Sequence, residues 1–355
     1  MYFCRLNLSI AVVSMVKEPK SKLLHNASVC FKDLNETHDA EQSENNEEVG
    51  HFDWSLGNQG DLLASYYYGY IWSQAAGPVL AKSLGYKRVW LFTMLFASLL
   101  TILSPTLAYK GYAWLFAGRI LIGLCHGVTF PCMHGLVGFW SPKEERSKLI
   151  SIYVSGASVG TMILFPLAGL LIHAFGWEAV FYFTGFVSFV WCFLWGLLAA
   201  DTPDTHPWIS KKELAYIASH QELGKERIQS VPWRSILTSK PVMAVAAGHL
   251  ASNWGNYQLN SLLPTYLATV LDFDIKSNGF ISSLPFLAQS VVCLFGGFIT
   301  DVIIQRKLCK TLTIRKINTW LGLLIPAITI VLAGLLGCKS TYAVIFFIIS
   351  VGFVT

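Results

Sequence analysis

Apolar residues fall in long runs, separated by short polar segments that are mostly basic. The runs lie near residues 1–16, 59–81, 89–108, 113–136, 150–173, 177–199, 241–268, 279–300, 317–336 and 342–355. A helix needs about 20 predominantly apolar residues to cross a bilayer. The pattern therefore predicts an all-α polytopic membrane protein with about ten spans. The first run is shorter than that length, and the last stops at Thr355 with no polar flank. A partial chain is expected, lacking part of the first span and later helices. A cleaved signal peptide is the other reading of residues 1–16. Against it, the early cation Arg5 sits among apolar residues and no small-residue cleavage site follows.

Composition agrees: the 355 residues are 54% apolar and 13% charged, where a soluble domain carries about 25% charge. The net charge of +5 says little, but its placement says more. With the first span leaving the cytosol, the inner loops hold Lys82, Lys87, Arg88, Lys143, Arg146, Lys148, Lys211, Lys212, Arg306, Lys307, Arg315 and Lys316, among others. The outer loops are poorer in lysine and lack arginine, as the positive-inside rule requires. Three regions follow: an N-terminal helical bundle over 1–200, a cytosolic connector over 201–240, and an incomplete C-terminal bundle over 241–355. In the connector, Ser210 and Glu213 have the spacing of a capping box for an amphipathic helix. The acidic outer loop 17–54 carries glycosylation patterns at Asn26 and Asn35. Asn7 also matches, but it lies inside a span.

The stretch from Leu115 to Trp140 is organised around polar residues at membrane depth. It contains Arg119, His126 and His134, and Gly123 and Gly127 form a small-xxx-small pair. Arg119 and His126 are seven residues apart, on nearly one helix face. A charge in a span usually serves a ligand, ion or proton path, and an arginine fork matches a carboxylate. Arg119 and Arg5 are accordingly candidates for binding an anion. The competing reading is a bond to carbonyls or amides of a neighbouring helix. His126 and His134 could titrate in the physiological range and couple protons, or could be hydrogen-bonded packing residues. The Cys125, His126, Cys132 and His134 spacing fits no usual zinc pattern, and Pro131 interrupts the helix.

Two further spans are unusually polar. The second carries Tyr66, Tyr67, Tyr68, Tyr70 and Trp72, whose polar atoms need partners. Tyr67 and Tyr70 are candidates for lining a wet cavity, with helix packing as the alternative. The seventh carries Asn253, Asn256, Tyr257 and Asn260 on one face, followed by Pro264. Such a stripe is either inter-helix adhesion or a substrate-facing surface beside a broken helix. Two related basic loops follow the second and eighth spans. Gly77, Lys82 and Gly85 belong to the first, and Gly297, Asp301 and Arg306 to the second. Their spacing suggests homologous halves and assigns them gating contacts. No Walker loop or nucleophile elbow is present, so neither an enzyme nor an ATP-driven pump is expected. Nothing calls for a cofactor, a metal or a nucleic acid.

The segments "RLNLSIAVVSMV", "SYYYGYIWSQAAGPVLAKSLG", "GRILIGLCHGVTFPCMHGLVGFWSPKEERSKL" and "SNWGNYQLNSLLPTYLATVLDF" resemble the anion:cation symporter family of the major facilitator superfamily. That family holds sialic-acid exporters, vesicular glutamate transporters and sodium–phosphate or urate transporters. The resemblance covers nearly the whole chain. It implies two six-helix bundles, of which about ten spans are present, and secondary active transport of small organic anions. Candidate cargoes are sialic acid, other acidic sugars or acidic amino acids, with a proton as the co-transported ion. The alternatives are sodium-coupled phosphate or urate carriage, or an inactive paralogue or fragment. A lysosomal, vesicular or plasma membrane is implied. By this resemblance Arg119 and Arg5 match anion-binding arginines, and His134 matches the histidine of the sialin-type "PAMH" segment, here "PCMH". Ile122 and His126 replace the fourth-span glutamates associated with proton coupling. Leu63 and Ser252 stand where vesicular glutamate transporters carry a histidine and an arginine.

Overall fold

The computed structural model describes residues 1–17, 50–142, 145–220, 233–271, 273–335 and 339–354. Helices account for most of each of the ten apolar runs. In order these are α1 (Tyr2–Met15), α2 (Leu56–Leu84), α3 (Tyr86–Lys110), α4 (Tyr112–His126), α5 (Thr129–Trp140), α6 (Arg146–Phe175) and α7 (Glu178–Leu198). After them come α8 (Lys211–His220), α9 (Trp233–Leu237), α10 (Lys240–Thr269), α11 (Ile275–Gln305), α12 (Thr311–Leu335) and α13 (Ser340–Phe353). No strand occurs among the described residues; one isolated bridge pairs Val16 with Phe52.

Six of these stretches are long and apolar enough to cross a membrane: Tyr86–Lys110, Tyr112–Trp140, Leu149–Phe175, Glu178–Leu198, Ile275–Gln305 and Thr311–Leu335. The helices α2 and α10 have the length, at 29 and 30 residues, but are too polar to join them. Their tyrosines, serines and amides are the residues that mark them as functional candidates.

The fourth predicted span is two helices. Gly127 and Val128 form a turn between α4 and α5. The proline ring removes the N–H that residue 131 would have donated to the Gly127 carbonyl, and the ladder resumes at Cys132, whose N–H donates to the Val128 carbonyl at 3.0 Å. In the connector, α8 starts where the capping pattern places it. The Glu213 N–H donates to the Ser210 hydroxyl at 3.1 Å.

The chain divides into two compact units. The first comprises Met1–Val12, Trp54–Gly160 and Leu171–Gly224. Within it α2 packs along α4, and α3 packs against α4 and α7. The α2–α4 approach rests on glycines. A Cβ at Gly69 would strike the Ile120 carbonyl, and one at Gly123 would strike the Tyr66 carbonyl. One at Gly127 would strike the Ser73 hydroxyl and the Tyr70 carbonyl. Gly85 ends α2 at φ +94° and leads into α3. The Asp201 carboxylate closes this corner, accepting the Lys87 N–H at 2.6 Å.

The second unit comprises Val13–Asp53, Thr161–Leu170 and Lys225–Thr355. Here α13 packs on α11 and α12. Residues 161–170 of α6 meet the start of α11, where a Cβ on Gly279 would lie 2.6 Å from the Phe165 carbonyl and 3.1 Å from the Gly169 Cα. Asp274 caps α11, accepting the N–H groups of Lys276 and Ser277 at 3.1 and 3.2 Å. The bond with the Ser277 side chain, aided by these amides, holds its carboxyl below the usual carboxylate range.

Candidate functional site

In the first unit, the polar residues of α1, α2 and α4 converge on Tyr66. Arg119 is 1% exposed. Its guanidinium donates to the carbonyls of Cys4 at 3.1 Å and Arg5 at 2.8 Å, and to the Asn7 side-chain oxygen at 3.2 Å. It therefore ties α4 to α1. All three acceptors are neutral, so these bonds engage its terminal nitrogens without compensating its charge. Its Nε–H has no hydrogen-bond partner among the described residues.

Arg5, also buried, lies among aromatic rings. Its guanidinium carbon is 5.2 Å from the Tyr2 centroid, 5.5 Å from Tyr66, 5.1 Å from Tyr67 and 5.4 Å from Tyr70. Ring quadrupoles attract cations at such distances. Arg119 is likewise 5.5 Å from the Tyr66 centroid, so two guanidiniums share one ring. Tyr66 stacks on Tyr70 at 5.7 Å and meets Tyr67 edge-on at 5.4 Å.

His126 belongs to the same cluster. Its Nδ1 lies 3.1 Å from the Tyr66 hydroxyl, and its buried Nε2 has no partner among the described residues. His134 has different surroundings. It is exposed on α5, with Nε2 2.9 Å from the Tyr153 hydroxyl. Tyr153 borders a cavity of about 330 Å³, lined also by Tyr2, Trp90, Thr129, Phe130 and Ser188. The Trp90 Nε1–H and the Thr129 hydroxyl are buried there without a hydrogen-bond partner among the described residues.

In the second unit, Asn253, Asn256 and Tyr257 are half-buried on α10 and Asn260 is buried. The Asn260 amide donates to the Asn256 oxygen at 2.7 Å. This bond runs along one helix, so that pair neither joins helices nor is wholly free for a ligand. Beside it, the Asn278 amide of α11 donates to the Pro264 carbonyl at 2.7 Å, and the Ser282 hydroxyl donates to the Asn278 oxygen at 2.9 Å. Gly77 has room only against Val128, whose Cα lies 3.2 Å from a Cβ built there. Lys82 is exposed near the end of α2, and Arg306 follows α11. A Cβ on Gly297 would meet open space. The Asp301 side chain, Asn26 and Asn35 lie outside the described residues. Among the described residues no group of His, Cys, Asp and Glu could hold a metal, and Cys4, Cys125, Cys132, Cys192, Cys293 and Cys309 are free thiols.

Sequence reasoning missed three members of these clusters. Tyr66 was one aromatic among several. In the sequence Asn7 presents only a glycosylation pattern inside a span. Asn278 lay unremarked among small polar residues. An amide next to an intramembrane arginine was the available signal for Asn7.

Buried cations in a bundle of apolar helices mark a functional site in a membrane protein. The chain matches the Major Facilitator Superfamily over residues 30–355, and its fold is shared by a D-xylose–proton symporter at TM-score 0.61 and 14% identity, covering 99% of this chain and 77% of that one. A POT family transporter bound to 5-aminolevulinic acid gives 0.60 and 14%, covering 99% and 80%. More specifically, the chain belongs to the anion:cation symporter family within that superfamily. It is 37% identical to sialin of Homo sapiens over 98% of this chain and 70% of that protein. It is 33% identical to a putative inorganic phosphate cotransporter of Drosophila melanogaster, covering 99% and 66%. With vesicular glutamate transporter 2 of Mus musculus it shares 32%, covering 98% and 58%. It is thus a multi-pass membrane transporter of organic anions or phosphate, in a family of carriers and not of enzymes.

Proposed function

We propose that this protein carries a small organic anion, such as sialic acid, another acidic sugar or an acidic amino acid, coupled to protons by alternating access. The observation that carries the reading is the arginine cluster. Arg119 is buried and bonded only to neutral acceptors, and a second guanidinium shares its Tyr66 ring. Such a pair attracts an anion, and removing the anion's water strengthens the attraction. In this reading Arg119 and Arg5 hold the carboxylate and Tyr67 and Tyr70 contact the rest of the substrate; on the second unit, Asn253, Asn256 and Tyr257 are the candidate substrate contacts. His126 and His134 take part in proton coupling. Gly77, Lys82, Gly85, Gly297, Asp301 and Arg306 form gating contacts. Asn26 and Asn35 carry glycans on the lumenal or extracellular side. The membrane is lysosomal or vesicular, with the plasma membrane as the alternative.

A sodium-coupled phosphate or urate carrier is the second reading, favoured by the likeness to phosphate cotransporters. Flux of sialic acid, glutamate, urate and phosphate into proteoliposomes, with and without an acidic exterior, decides between them. Acid-stimulated sialic acid or glutamate flux, lost in Arg119→Ala, is the expected outcome. Sodium-dependent phosphate or urate flux would transfer the protein to the other branch. No flux of any of the four would point to an inactive paralogue.

A further inference from the structure

We propose that the Tyr66 hydroxyl is the positioning group that links protonation of His126 to the Arg5–Arg119 pair. This rests on the proton-coupled reading above and extends it to a residue outside the predicted set. Among the described residues, Tyr66 is the one side chain that touches all three groups. Its ring lies 5.5 Å from each guanidinium, and its hydroxyl lies 3.1 Å from His126 Nδ1. Both Tyr66 and His126 are essentially inaccessible, at 1% and 0% exposure.

The groups facing His126 can be named element by element. From α1 comes Arg5; α4 adds Arg119 and the neighbouring Cys125. From α2 come Tyr66 and, stacked behind it, Tyr70. In this cluster α3 supplies Ala97 and Leu100, neither of them titratable. Among the described residues, the charged side chains facing it are the cations Arg5 and Arg119. With Nε2 unpartnered among the described residues, the Tyr66 bond sets the tautomer of the neutral ring.

A neutral imidazole has one donor and one acceptor nitrogen, so the phenol can donate or accept. An imidazolium has two donors, so the Tyr66 oxygen must then accept and turn its own proton away from the ring. Protonation also adds a third cation beside the two guanidiniums. An arriving carboxylate offsets that repulsion, and the reoriented phenol changes the dipole between the histidine and the arginines. Proton and anion then favour each other's binding, and by linkage the benefit is reciprocal.

The test uses the full chain in liposomes with sialic acid as probe, across an external pH series. Tyr66→Phe keeps the ring and both cation contacts and removes only the hydroxyl. It should move the midpoint of the pH–flux profile by about half a unit or more. It should also raise KM at acid pH by about threefold, with Vmax changed less. His126→Ala should abolish the difference, so that Tyr66→Phe/His126→Ala behaves as His126→Ala alone. Tyr68→Phe, at an exposed position on the same helix, should match the wild type. A Tyr66→Phe profile that superimposes on the wild type, or two substitutions whose effects simply multiply, would overturn the proposal.

A second readout does not depend on transport. In ¹⁵N-histidine-labelled protein in micelles, Tyr66→Phe should displace the His126 Nδ1 resonance. The shift that Arg119→Gln produces in the His126 titration should also shrink when Tyr66 is phenylalanine. If both hold while neither sialic acid nor glutamate is carried, the carrier reading fails and the link stands. If acid-stimulated flux is present but the resonance and titration ignore Tyr66, the link fails and the carrier reading stands.

Discussion

Asn7 shows what one amide can do inside a span. It is fully buried; its oxygen accepts from Arg119 at 3.2 Å and its amide donates to the Thr184 hydroxyl at 3.0 Å. It thereby joins α1 to both α4 and α7. Asn7→Ala leaves a guanidinium N–H short of an acceptor in an apolar interior. The expected loss is about 2–3 kcal/mol, read as a lower thermal unfolding midpoint in detergent micelles. Thr184→Val should cost less, because the donor it leaves without an acceptor is a neutral amide and not a guanidinium. The arginine was legible in the sequence because a charge between apolar residues stands out. Its partners were not, since two of them are backbone carbonyls and carry no signature of residue type.

At the scale of elements, the decisive contact is α2 against α4. The Gly123–Gly127 spacing predicts a close helix approach, and the structure supplies the partner: carbonyls of α2 occupy the space a side chain would need. Gly123→Ala should therefore destabilise by about 1–3 kcal/mol, since the obstacle is backbone and cannot rotate away. Gly138→Ala on α5, where a Cβ meets nothing within 4 Å, should be neutral or stabilising by about 0.5–1 kcal/mol. Thermal unfolding of the two variants side by side checks the contrast. The break between α4 and α5 was announced by Pro131. Its place at Gly127–Val128 follows one turn upstream, because a proline releases the carbonyl four residues before it.

For the whole molecule, the alternation of apolar runs and basic loops assigns sides of the membrane as well as helices. That assignment puts Asn26 and Asn35 opposite the connector. Enzymatic deglycosylation of protein expressed in animal cells should sharpen and lower its band on a denaturing gel. The Asn26→Gln/Asn35→Gln double variant should already run at the lower position. An unchanged band in the wild type would invert the topology or remove the glycans from it. Asn7 should contribute nothing, since it lies in α1 and is buried against Arg119 and Thr184.

The apolar pattern was enough to place the long helices and the polar character of α2 and α10, though not the division of the fourth span into α4 and α5. Helix formation and bilayer burial are local consequences of composition and length. The family was also legible, from contiguous segments such as the one around Arg119. Which side chains meet was not local. That Arg119 spends its donors on α1, that Tyr66 gathers both arginines and His126, and that His134 turns instead to Tyr153 depend on residues far apart in the chain. Such contacts arise when glycines let helices close to backbone distance, and only the tertiary structure decides them.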